Sequence, residues 1–232
     1  MADLEYVQLM ASLPALGPVL GAKSVPISGL NLGKRLAGML QAGHKAQIDA
    51  AESILSWNRL SLMTSDDDFL GKAHGVLEKL RNPTLRRLVE QRLEQRTIIA
   101  ALRRRANGED APPADATWGY GARLKRIRAN WRDPSFGLAQ SSKWLLPFKE
   151  KLESGDLAGS ERLELEVAWR QADHLLGFHL FDFEAVALYV ARWHLLDRWT
   201  HYDAEGAAVR FEKLLADALD AAPPELNVNR VA

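Results

Sequence analysis

Apolar positions along this chain recur mostly at spacings of three and four, the repeat of a helix that buries one face. Few stretches alternate with period two, and none is bounded by hairpin turn signals. The pattern predicts an all-α fold: a multi-helix bundle of long amphipathic helices. A short apolar helix over 4–13 comes first. A loop carrying Pro14, Gly17, Pro18, Gly21, Pro26 and Gly29 follows, then a weak helix over 32–40. Ile48, Ala51, Ile54, Leu55 and Asn58 set a helix over about 45–60. Ser65 and the aspartates 66–68 open the next, because carboxylates complement the free amides of a helix start. The clearest element begins at Asn82-Pro83, a favoured cap followed by a favoured first residue. Leu85, Leu88, Val89, Leu93, Ile99 and Leu102 line one face of a helix of about 24 residues, ~36 Å long. Arg103, Arg104 and Arg105 suit its negative end, and Gly108 stops it.

Residues 109–116, with Pro112 and Pro113, read as a linker between helical parts 1–108 and 117–222 of one continuous fold. A basic helix over 120–131 is expected next, broken by Asp133-Pro134. A helix over 141–152 must bend or start at Pro147. After a turn at Gly155-Asp156, a long helix spans 157–176 and Gly177 ends it. Asp182 caps a helix over 183–199 that is apolar nearly all round and so belongs in the core. Asp203 is expected to cap a last helix to about Leu219, and Pro223-Pro224 to start a loose tail over 223–232. A faint echo links 90–102 with 161–176, both long amphipathic helices with internal Glu-Arg pairs.

The chain has 232 residues, 47% hydrophobic and 26% charged, enough to bury a sizeable core. It contains no Cys, which excludes disulfides, Cys-ligated zinc, iron–sulfur clusters and a Cys nucleophile. The formal net charge is zero, but it is segregated. Residues 81–132 carry 13 basic and 5 acidic groups, and residues 150–232 carry 8 basic and 16 acidic. Such segments can attract each other inside one fold or offer partners two faces of opposite sign. The longest uncharged run, Tyr6 to Ala22, is interrupted by Pro14, Gly17 and Pro18, so no direct membrane span is expected. Asp3 and Glu5 stand where a signal peptide would carry cations. The expected location is cytoplasmic, with protein contacts as the means of any peripheral attachment to the membrane face.

Three constellations could carry chemistry. His194, Asp197 and His201 share one helix face and could hold a divalent metal, but the HExxH spacing is absent. A polar helix end with Asp197 paired to an Arg or His is the plainer reading, so no metal and no cofactor are expected. An unrecognised enzyme site near His194 and Asp197 would need a deep pocket there. Asp182 and Glu184 could split acid and base roles, but capping explains both. The stretch 118–132 interleaves cations (Arg123, Lys125, Arg126, Arg128, Arg132) with Trp118, Tyr120 and Trp131, which suits phosphate contact and base stacking. Its plainer reading turns Trp118, Ile127 and Trp131 inward, and nucleic acid is the less favoured partner because the whole chain is not basic. GxSxG, GxGxxG and Walker spacings are missing.

Two stretches carry a resemblance. The opening Tyr6-Val-Gln-Leu-Met-Ala-Ser-Leu-Pro-Ala-Leu16 looks like the start of short bacterial proteins associated with V-type ATPases. Those proteins are similar to the C-type subunit of V/A-type ATPases, the central-stalk socket (d-type in eukaryotes). The stretch Leu93 to Arg105 resembles the helix of that socket protein in which an Asn-Ile-Lys-like segment leads into Leu-Arg-Ala-Lys; here Arg96-Thr97-Ile98 replaces the Asn. The helix over 183–199 is compatible with a second copy. The resemblance covers the first sixteen residues and about two helices. It implies a non-catalytic structural or coupling subunit, with at most two of the three helical repeats of a full-length socket protein. Its partners would be other subunits of a rotary ATPase, the membrane ring and the central shaft. If a partner is anionic, Arg92, Arg96, Arg103, Arg104 and Arg105 are the expected contacts, with Arg123, Lys125, Arg126 and Arg128 beside them.

Overall fold

A computed structural model describes residues 4–55, 65–177 and 179–220, with side chains as far as His201. Among these, every regular element is helical and none is a strand: the fold is all-α. The helices are α1 (Leu4–Ser12), α2 (Gly29–Met39), α3 (Ala42–Leu55), α4 (Asp66–Lys79), α5 (Pro83–Ala106), α6 (Leu124–Ala129), α7 (Leu145–Glu153), α8 (Leu157–Leu176) and α9 (Phe183–Asp220). A 3-10 turn, Val19–Gly21, interrupts the proline-rich loop.

The starts follow from capping chemistry. Side chains of Ser28, Ser65, Asn82, Asp156 and Asp182 each accept from a backbone N–H three residues on, at 2.8–3.4 Å. Gly108, at φ +79, closes α5, and Gly177, at φ +45, closes α8, where other residues would be strained.

Three expectations change. The basic helix is only α6, because residues ahead of it are stapled to α5. The Tyr120 N–H donates to Thr97 Oγ1 at 2.8 Å, and a Cβ on Gly119 would lie 2.5 Å from Thr97 Cγ2. Gly121, at φ +101, fits over Glu94 in the same way. The helix expected over 141–152 starts only at Leu145, which puts Pro147 in its first turn, where no intrahelical bond is lost. Asp203 starts no helix: α9 runs 38 residues without a break. Residues 199–204 hold neither Pro nor Gly, so nothing there interrupts the backbone ladder. The end of the helix expected over 45–60, with Asn58, and the expected tail over 223–232 lie outside the described residues.

Among the described residues, three apolar clusters make the core. The first joins α1–α5 to α9 and the end of α8, through Leu9, Leu70, Leu88, Val89, Ala172, Val186 and Leu188. The second gathers Ile98, Leu102, Trp118, Ile127, Phe136, Leu145 and Phe148 around the second half of α5. The third joins Val19 to Leu165, Leu196 and Trp199. Residues from both sides of the 109–116 linker therefore share one core. No helix among the described residues is long and apolar enough to cross a membrane.

Direction along the three long helices is fixed by polar pairs. Arg198 meets Glu161 at 2.6 Å and Arg192 meets Asp173 at 3.6 Å, so α8 and α9 are antiparallel. Asn82 Nδ2 donates to Glu184 Oε1 at 2.7 Å, joining the starts of α5 and α9. These two then run parallel, and Arg92 and Arg198 reach the same cavity further along.

Candidate functional site

Helices α3, α5, α8 and α9 line a partly open cavity of about 240 Å³. Its space arises from side-chain size. Ala168 and Ala172 on α8 face Ala187 and Ala191 on α9, and Ala51 on α3 completes the group. Each pair is four residues apart, so each lies on one face of its helix. Leu85 and Leu88 of α5, with Ile48 and Val190, finish this apolar end.

The other end is charged. Moving along α5 the lining passes from Leu85 and Leu88 to Arg92. Along α9 it passes from Ala187 and Ala191 to His194, Asp197, Arg198 and His201. Along α8, which runs the other way, it passes from Ala172 and Ala168 to Glu161. The cavity is thus graded from apolar to ionic along its length. His194, Asp197 and His201 do line one wall, and α3 adds Glu52, whose Oε1 lies 2.9 Å from His194 Nε2. The His201 ring approaches the Asp197 carboxylate at 3.4 Å, the pairing expected of a polar helix end.

Beneath this end sits an ionic cluster. Arg198 donates to Glu161 at 2.7 Å and lies 3.6 Å from Glu164, which is buried. Arg103 approaches Glu164 from outside at 4.0 Å. Gln95, also buried, donates to the Glu164 carbonyl at 3.0 Å and accepts from Arg92 at 2.7 Å. Arg92 is half-buried, and burial pushes its pKa down to about 10 despite Glu164 nearby. Burial likewise raises the Glu161 carboxyl, against the pull of Arg198. Arg96 lies over the Phe69 ring at 4.1 Å.

The other cations singled out in the sequence fall elsewhere. Arg104 pairs with Asp66 at 2.8 Å. Arg105 donates to the carbonyls of Trp131, Asp133 and Pro134 at 2.6–3.2 Å and covers the Phe136 ring. Arg123 reaches Ser142 at 3.1 Å and Glu94 at 3.7 Å. Lys125, Arg126 and Arg132 are exposed and Arg128 is half-buried. Trp118 and Ile127 are buried, and Trp131 is half-buried with its Nε1 donating to the Glu109 carbonyl, so these side chains turn inward.

Among the described residues one His/carboxylate triple, His179, Asp182 and Glu184, has ligand atoms within 4.8 Å of one another. Each side chain already has a task. Asp182 caps α9 and holds His179 at 2.6 Å, and Glu184 accepts from Asn82.

Helical spacing in the sequence singles out His194, Asp197 and His201 but not Glu52, Glu161 or the cavity itself. It marks Arg92 only as a contact for an anionic partner. The signal for the cavity is the alanine spacing on two helices that face each other, and the facing is visible only in the fold. Searches among protein-family models, curated proteins and solved structures return no match to this chain.

Proposed function

We propose that this protein is a non-catalytic coupling or structural subunit of a V/A-type rotary ATPase, of the kind that the central-stalk socket represents. The observation that carries the reading is the placement of α5 and α9. They start side by side, joined by Asn82 and Glu184, and run parallel. Two copies of one helix related by rotation about a common axis would lie this way. The first copy ends in the stretch 93–105 that bears the resemblance. Partners would then be the membrane ring and the central shaft, with attachment to the membrane face through them.

The test is co-purification. The C-terminally tagged protein is recovered from membranes extracted in mild detergent, and its companions are identified. Ring or shaft subunits are the expected companions. Their absence removes the coupling reading. Arg104 and Arg105 hold the fold, so a charge-reversal variant should use exposed positions. Exchanging Lys125 and Arg126 together for Glu should cut recovery while leaving helicity intact.

A second reading, a small-molecule site, is favoured by one observation. The cavity is lined by His194 and Asp197, the residues near which an unrecognised enzyme site would need a pocket.

A further inference from the structure

At the charged end of the cavity most groups are paired. Glu161 is occupied by Arg198, Glu52 by His194 and Asp197 by His201. Three guanidiniums, from Arg92, Arg103 and Arg198, surround two carboxylates, Glu161 and Glu164. Within this group Arg92 is the cation left without a carboxylate partner among the described residues. That side chain has five N–H donors and lies within 4 Å of no carboxylate among the described residues; its one hydrogen bond there is to a neutral amide, Gln95. Arg92 lines the large cavity on one side and a water-sized space of about 20 Å³ on the other. A half-buried guanidinium with spare donors beside an apolar chamber is suited to an anion that brings its own apolar body.

We infer that the cavity binds a small carboxylate with an unbranched apolar tail, its head on the Arg92 guanidinium and its tail among Ala168, Ala172, Ala187 and Ala191. This rests on the small-molecule reading and narrows it to one ligand class. Size sets the scale. An apolar cavity of ~150 Å³ accommodates benzene, so one of about 240 Å³ holds about ten non-hydrogen atoms, the size of octanoate. A planar carboxylate also matches the fork of a guanidinium. Among the described lining residues His201 is the exposed one, which places the ionic end nearest solvent. The head would therefore enter last, behind its tail.

The experiment is calorimetric titration of the full chain with octanoate, octylamine and octanol in parallel. Saturable binding of one octanoate per chain is expected, at least tenfold tighter than either of the others. Arg92→Gln should weaken octanoate at least tenfold and leave octanol unchanged. Ala191→Leu fills the chamber and should abolish binding of all three, with circular dichroism showing the helices intact. Equal or tighter binding of octylamine or octanol overturns the carboxylate assignment while leaving a small-molecule site standing. Silence from all three probes overturns both. Octanoate binding that survives Ala191→Leu puts the ligand elsewhere and also overturns the inference.

Discussion

Tyr189 ties the last helix to the first loop. Its ring is buried, and its hydroxyl donates to the Pro14 carbonyl at 2.8 Å across 175 residues of sequence. Burial raises its pKa from 10.0 to about 12, because a phenolate there would lose both water and its role as donor. The folded chain therefore holds this proton more tightly than the unfolded chain. The associated stability is complete below pH 10 and is lost as pH rises from 10 to about 12. Two pKa units correspond to about 2–3 kcal/mol. At about pH 9, Tyr189→Phe should cost roughly 1 kcal/mol for the lost hydrogen bond and the stranded carbonyl. Towards pH 12 that gap should close and then reverse, because Phe has no proton to lose. Urea unfolding of both proteins across this range is the measurement. A gap that stays constant with pH would show that Tyr189 ionises alike in both states.

At the scale of elements, the segment between α6 and α7 shows one residue of a helix end organising a stretch of irregular chain. Arg105, in the last turn of α5, donates to three loop carbonyls and lies 4.1 Å over the Phe136 ring. Phe136 is fully buried at φ +51, a conformation that costs a non-glycine residue energy and persists only when its surroundings enforce it. Arg105→Ala should cost about 2 kcal/mol, from charged hydrogen bonds and the ring contact together. Arg105→Lys should recover little, since an ammonium cannot span three carbonyls. Arg132→Ala, at an exposed position, should stay within about 0.5 kcal/mol of the parent in the same denaturation series. In the sequence, Arg105 is legible only as a cation suited to a helix terminus. Local signals do fix the boundaries of α5 and α8, because Asn82, Asp156, Gly108 and Gly177 act on their own neighbours. They fail at α6, whose start depends on Thr97 more than twenty residues away, and at Asp203, where a good capping residue meets no break to cap. The cavity has the same limitation. His194 and Asp197 share a helix, but Glu52, Arg92 and Glu161 join them from three others.

At the scale of the whole molecule, the charge-segregated sequence folds so that its parts interlock rather than stand apart. The first apolar cluster takes Leu9, Leu70 and Val89 from before the linker and Val186, Leu188 and Trp193 from after it. The second takes Ile98 and Leu102 from before and Ile127 and Phe148 from after. Polar contacts repeat the crossing: Trp193 donates to the Ile27 carbonyl at 2.9 Å, His194 meets Glu52, and Asn82 meets Glu184. Fully burying one such Leu or Phe is worth about 1.5–3 kcal/mol, so the shared core greatly outweighs the covalent link across an exposed loop. Replacing residues 110–115 with a specific protease site and cutting it should therefore leave the fragments together. They should elute as one species at the intact size in native buffer, keep their helical signal, and part only in denaturant. Fragments that separate in native buffer would make the linker a true domain boundary. The cavity would then lose its walls on cutting, since α3 and α5 lie on one side of the cut and α8 and α9 on the other.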